Sequence, residues 1–150
     1  VNDQSNTEPI VSRALDTLIA SDSEGLAPVD LLELQRKIAG ERYHLAEIVA
    51  RLKKDFLQKE VDRKSIYLRA KLTAKAEHLG ERAMSETAAG DIAEGRPEVI
   101  RARSEEIIAE ANYEAMKLKM STGGEVLTSI VMRLGFLRDE RKQTALTQHQ

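Results

Sequence analysis

The sequence predicts an all-α fold: a long antiparallel helical hairpin with two short N-terminal helices, assembling into a homo-oligomer. Three observations carry this. Chain breakers are scarce, with 8 Gly and 3 Pro in 150 residues, so stretches of tens of residues are free to stay helical. Aromatics make up 3% and Trp is absent, while 41% of residues are hydrophobic and 32% charged. That composition suits amphipathic helices and not an all-β sandwich. In the second half of the chain, apolar residues recur at spacings of 3, 4, 7 and 8, the signature of a helical face.

The elements follow in order. Residues 1–7 read as a polar tail. Pro9 sits well in the first turn of a short helix, Ile10 to about Ala20, with Val11, Ala14, Leu15 and Leu18 on its apolar face. Ser21 to Gly25 reads as a linker. A second short helix follows Pro28, with Leu31, Leu32, Leu34 and Ile38 apolar, and weakens at Gly40. Residues 1–40 thus form an N-terminal region of tail and short helices. The hairpin is expected over 41–143, with a tail at 144–150.

The first long helix is predicted from Glu41 to about Thr87. Leu45, Ile48 and Leu52 share one face, and Leu57, Val61, Leu68, Leu72 and Leu79 share another. The change of phase near Asp55-Phe56 predicts a kink, a stutter or a short break. Two glycines and a proline at Gly90, Gly95 and Pro97 interrupt the helix over 88–97. The second long helix starts after Pro97 and runs to about Gln143. Gly123 and Gly124 fall inside it, as a bend or as a point of close packing. Each helix of such a pair covers only one face of the other, so leucines on a second face imply self-association.

The net charge of −2 conceals blocks: −6 over residues 1–35, +7 over 36–75, −6 over 76–114 and +3 over 115–150. Opposite blocks suit helices that pair with one another or with copies of themselves. The basic block also suits a polyanion. With no Cys in the chain, disulfides and thiolate chemistry are excluded. The polar, acidic stretch Val1 to Glu8 is unlike a secretory leader, and no apolar run reaches the length of a bilayer span. The expectation is a cytoplasmic protein with no membrane association.

No catalytic constellation appears. His44, His78 and His149 sit in no metal-binding spacing. Glu105, Glu106 and Glu110 share a helix, and an acidic helix face is ordinarily just solvated. Gly123-Gly124 lacks the strand and the Lys-Ser/Thr of a phosphate loop. The expectation is a non-enzyme without metal or cofactor.

The basic block is more informative. Lys64, Tyr67, Lys71 and Lys75, at i, i+3, i+7 and i+11, line a narrow arc of an ideal helix, extended by Lys53 and Arg82. Lysines neutralise phosphates, and an aromatic among them can stack on an unpaired base. Single-stranded nucleic acid asks for that pairing of groups. The competing reading is a solvated helix face, with Glu60 and His78 in the same arc. Arg69 points roughly to the opposite side from Lys71.

The run Leu68-Arg69-Ala70-Lys71-Leu72 resembles the Leu-basic-Ala-basic-Leu motif of the UvsY recombination mediators of T-even-type bacteriophages. A polar, Gly-containing break follows. Then comes a long helix with Ser104-Glu105 near its start and a mixed apolar and basic segment, Val126 to Lys142, at its end. The similarity covers roughly residues 45–142 and leaves 1–40 without a counterpart. Where the family's motif continues with an acid and an aromatic, this chain has Thr73, Ala74 and Lys75, which leaves Tyr67 as the nearby aromatic.

The resemblance implies a non-enzymatic phage protein of DNA recombination and repair. Such mediators form ring-like homo-oligomers, bind single-stranded DNA and help load a RecA-like recombinase onto DNA coated by a single-strand binding protein. Arg69 and Lys71 take the motif's basic positions, and the helical stripe adds Lys64, Tyr67 and Lys75. The localisation implied is the cytoplasm of an infected bacterial host. The alternative is a helical oligomeric structural or adaptor protein, a virion component or protein-binding module, whose charge blocks serve assembly alone.

Overall fold

The computed structural model describes residues 26–78 and 83–147. The expected helix at Ile10 to Ala20, its linker, the far C-terminal tail, and Leu79, Arg82 and His149 lie outside the described residues. Among the described residues the fold is all-helical and holds three helices: α1, Pro28–Glu77; α2, Glu86–Glu94; and α3, Pro97–Thr147. The chain divides into two compact units, a terminal unit of Val1–Val49 with Met116–Gln150 and a central unit of Ala50–Ala115.

Local chemistry sets the helix ends. Pro28 and Pro97 each open a helix, where the missing N–H costs nothing and the fixed φ is already helical. Asp30 in the first turn of α1 and Lys75 in its last complement the helix dipole. The Ser85 side chain caps α2 by accepting from the Ala88 N–H at 3.2 Å. Gly95 ends α2, and its N–H donates to the Asp91 carbonyl.

Several expected boundaries shift. The second short helix does not weaken at Gly40: α1 runs through it, so the boundary placed at residue 40 falls inside a helix. The position is open, with nothing within 4 Å of where a Cβ would stand. Glycine's penalty of about 1 kcal/mol is small against the packing of the flanking leucines and isoleucines. The first long helix ends at Glu77 and not near Thr87, and α2 occupies much of the stretch expected as a break. Residues 144–147, expected in the tail, continue α3.

The terminal unit has a core of large aliphatics. Leu31, Ile38 and Leu45 of α1 and Ile130 of α3 are fully buried, with Leu34 and Ile48 close behind. Seven-residue steps from Leu31 to Ile38 to Leu45 keep these side chains on one face. Gly123-Gly124 is not a break, and α3 passes through it. A Cβ at Gly124 would stand 3.1 Å from an Arg42 guanidinium nitrogen. Arg42 donates from Nε to the Met120 carbonyl at 3.1 Å. Gly124 therefore serves close packing, the second of the two roles expected of the pair.

The central unit is built differently. Its buried hydrophobic residues are Ala70 and Ala74 on α1, Ala89 and Ala93 on α2, and Val99, Ala102 and Ala109 on α3, with Gly90 of α2 buried among them. Ile66 and Tyr67 pack against the cluster of Ala70, Ala93 and Val99. Phe56 stacks on Tyr113 with ring centroids 6.3 Å apart and planes 7° apart. No break is assigned at Asp55-Phe56. The inward stripe continues in phase from Leu52 through Phe56, Arg63 and Tyr67 to Ala70 and Ala74. The apparent change of phase comes from Leu57, Val61, Leu68 and Leu72, all exposed. They mark the opposite side of the helix from its packing face.

Candidate nucleic-acid interface

All five residues singled out in the sequence lie on α1 in the central unit. Alanine packing brings the helices of this unit close, so long charged side chains lie along the rim of the contact. Lys59 reaches Glu105 at 2.8 Å, Arg63 pairs with Glu106, and Arg96 reaches Glu77 at 2.5 Å. The central unit holds thirteen basic and thirteen acidic residues. Its charge blocks thus neutralise one another within one chain.

The five candidates divide into three groups. Tyr67, Lys71 and Lys75 come together beside α2. Lys71 Nζ lies 2.6 Å from one Glu86 carboxylate oxygen, and Lys75 pairs with the other. A Cβ on Gly90 would stand 3.1 Å from the Tyr67 hydroxyl, so the bare backbone of α2 makes room for that ring. Lys64 pairs with Glu60 one turn back, at 2.5 Å. Arg69 stands apart, on the side expected from the helical arc.

Two grooves flank the helix pair. One, of about 460 Å³, is lined by Tyr67 with Arg63, Arg103, Glu94, Ile100 and Ile107 among others. The other, of about 400 Å³, is lined by Arg69 with Lys59, Arg101 and the carboxylates of Asp62, Glu98 and Glu105. Tyr67 and Arg69 therefore open onto different grooves. Arg63 and Arg103 beside Tyr67 were not singled out in the sequence. Arg63 lies on α1 one turn before Tyr67, outside the lysine arc, and Arg103 is brought to it only by the packing of α3.

The resolved pKa shifts follow the ion pairs. The hydrogen bond and charge of Lys64 hold the Glu60 carboxyl below the ordinary range. Glu105 raises Lys59 above the usual lysine range by the same two effects. Glu105 and Glu106 are thus engaged by bases on α1. Among the described residues, no group of three or more His, Asp or Glu is placed to hold a metal ion, and no helix is long and apolar enough to cross a membrane.

Glu86 is mostly exposed, at 68% of its side chain. Exposed ion pairs contribute about 0–1 kcal/mol and are screened by salt. Only the Glu86 side of these pairs is open: the Lys71 and Lys75 side chains are 23% and 34% exposed. No family model matches the chain, and no curated protein or solved structure matches it either.

Proposed function

We propose that this chain is a non-enzymatic helical protein that binds single-stranded DNA as a homo-oligomer, in the manner of a phage recombination mediator that helps load a RecA-like recombinase on DNA coated by a single-strand binding protein. The observation that carries the reading is the grouping of Tyr67, Lys71 and Lys75 along one half-buried edge, the two lysines held by a single exposed carboxylate, Glu86. Arg69, exposed on the far side, adds a second phosphate contact for a strand that wraps the helix pair.

The order of contacts supports an antiparallel hairpin. In the central unit Phe56 meets Tyr113, Lys59 meets Glu105 and Glu77 meets Arg96. In the terminal unit Leu137 and Arg141 flank Pro28, and Met120 meets Arg42. Exposed apolar side chains of the terminal unit, Leu118, Met132 and Phe136 on one face of α3 and Val29, Leu32 and Tyr43 on one face of α1, support assembly between copies. Repetition of a weak basic edge around an oligomer raises avidity.

A second reading, a helical adaptor or structural subunit without nucleic acid, is favoured by the same ion pairs, because Lys64, Lys71 and Lys75 all have carboxylate partners already. Fluorescence anisotropy of a labelled single-stranded oligonucleotide separates the two. Binding should weaken steeply with salt. Arg69→Ala with Lys71→Ala should lower the slope of log K against log salt by about 1.4, two contacts at about 0.7 each. Circular dichroism and light scattering should show helicity and assembly unchanged. An oligonucleotide that stays free even in dilute buffer selects the adaptor.

A further inference from the structure

One continuous seam on α1 keeps its aliphatics out of all the packing described above, while two of its lysines, Lys64 and Lys75, pair with Glu60 and Glu86. Lys54, Leu57, Val61, Lys64, Leu68, Leu72 and Lys75 follow one another at steps of 3, 4, 3, 4, 4 and 3. On an ideal helix they stay within an arc of about 80° and span about 32 Å. The inward residues Phe56, Arg63, Ala70 and Ala74 lie on the other side of the helix. The seam's aliphatics are open, from 46% exposed at Leu57 to 67% at Leu72. It contains only aliphatics and lysines. Of the four acidic residues between 54 and 77, Asp55, Asp62 and Glu77 point away from it, and Glu60 borders it only to pair with Lys64.

We infer that this seam is a docking surface for an acidic amphipathic helix of a partner protein, one that carries aliphatics and carboxylates in the same 3–4 spacing. A strip this narrow and regular matches the seam of a helix–helix contact. Leucines offer nothing to a phosphate chain. A bilayer surface calls for a broad apolar face with aromatic residues, and the seam has none.

A second copy is the wrong occupant. Antiparallel pairing of two identical seams sets Lys54 against Lys75 and Lys64 against Lys64. Parallel pairing in register sets every lysine against itself. Like charges directly opposed disfavour both arrangements. Carboxylates at those places instead replace the Glu60 and Glu86 side chains on Lys64 and Lys75, while the aliphatics interlock. The seam shares Lys64 and Lys75 with the proposed DNA edge but not Tyr67, Arg69 or Lys71, and the inference stands whether or not the chain binds nucleic acid.

The test uses the full chain and a fluorescein-labelled synthetic peptide of about six turns with Leu and Glu in the seam's spacing. A control peptide carries Lys in place of Glu. In about 50 mM salt the acidic peptide should bind and the lysine peptide should not. Leu68→Ser with Leu72→Ser should weaken binding about tenfold or more, with helical circular dichroism unchanged because both side chains are exposed. Lys64→Glu should shift preference toward the lysine peptide. Oligonucleotide binding should survive the leucine substitutions, and peptide binding should survive Arg69→Ala with Lys71→Ala, which keeps the two readings separable. Equal binding of both peptides, or of the leucine variant and the parent, overturns the inference. Leucine-dependent binding to phosphatidylserine vesicles without peptide binding overturns it in favour of a membrane surface. Loss of self-association in the leucine variant, read by light scattering, overturns it in favour of a second copy.

Discussion

In the terminal unit Leu31, Ile38, Leu45 and Ile130 are fully buried, whereas the fully buried side chains of the central unit are Ala74, Ala89 and Ala93. The same helix, α1, hides its large aliphatics at one end and displays them at the other, where Leu68 and Leu72 are more than half exposed. Burial of a leucine or isoleucine contributes roughly 1.5–3 kcal/mol and an added methylene about 0.8. An alanine interface therefore gains close helix approach and little free energy. The central unit relies on fit and on a rim of ion pairs, and its leucines stay exposed.

The largest expected effect follows from that contrast. Ile38→Ala should destabilise the chain by about 2–5 kcal/mol, the range for emptying a packed core site. Leu68→Ala should stay within about 0.5 kcal/mol, as surface substitutions do. Urea unfolding followed by helical circular dichroism at fixed protein concentration measures both. Equal losses at the two positions would mean that Leu68 is already packed in solution and that the two units do not differ as described.

Glycines sharpen the comparison on a smaller scale. Gly40→Ala meets open space inside a helix and should stabilise by about 0.5–1 kcal/mol. Gly90→Ala places its methyl 3.1 Å from the Tyr67 hydroxyl, so the ring must shift and the gain should shrink or vanish. Tyr67→Phe in that background should restore part of it. Thermal melts of the three variants and the parent report the order, and a Gly90→Ala chain as stabilised as Gly40→Ala would show that α2 is not seated on Tyr67.

The edge of the central unit is tested through its shared carboxylate. Glu86→Gln leaves Lys71 and Lys75 without their partner, while the exposed position costs little stability. If the edge binds DNA, affinity for a single-stranded oligonucleotide should rise about two- to fivefold, the equivalent of roughly 0.4–1 kcal/mol. Unchanged or weaker binding would remove Lys71 and Lys75 from the interface.

Much of the architecture was legible in the sequence, for reasons that also explain the misses. Scarce breakers announced helices, and Pro97 announced a start because only the first turn tolerates it. Gly40 misled because its local penalty is outweighed by Leu34, Ile38 and Leu45 packing around it. Leu57, Val61, Leu68 and Leu72 misled more deeply. A periodicity reading takes the largest aliphatics for the packed face, while the packed face here is alanine. The opposed +7 and −6 blocks did signal pairing, yet the lysine stripe alone could not reveal that Glu86, at the start of another helix, reaches it. Nor could it reveal that Arg103, from another helix, shares a groove with Tyr67.

The smallest effect concerns pH. Glu33 and Glu60 are held below the ordinary carboxylate range, first by hydrogen bonds and then by the charges of Lys37 and Lys64. Their contributions are complete above the ordinary range and fade as pH falls through the lowered values. Lys59, raised by Glu105, contributes below the ordinary lysine range and stops as pH climbs through its raised value. Glu33 is exposed and Lys59 and Glu60 are half-buried at the surface, so each step is small. The units should nevertheless respond unequally. In the central unit Lys59–Glu105, Arg63–Glu106 and Lys71–Glu86 join separate helices around an alanine core, whereas Glu33–Lys37 in the terminal unit lies within one helix turn above buried leucines. Lys59→Met, which removes one of these inter-helix pairs at every pH, should therefore loosen the central unit alone. Amide protection factors should fall at Ala70 and Ala74 while Ile38 and Leu45 keep theirs. Unchanged protection at Ala70 and Ala74 would show that this ion pair does not hold the central helices together and that alanine contact suffices.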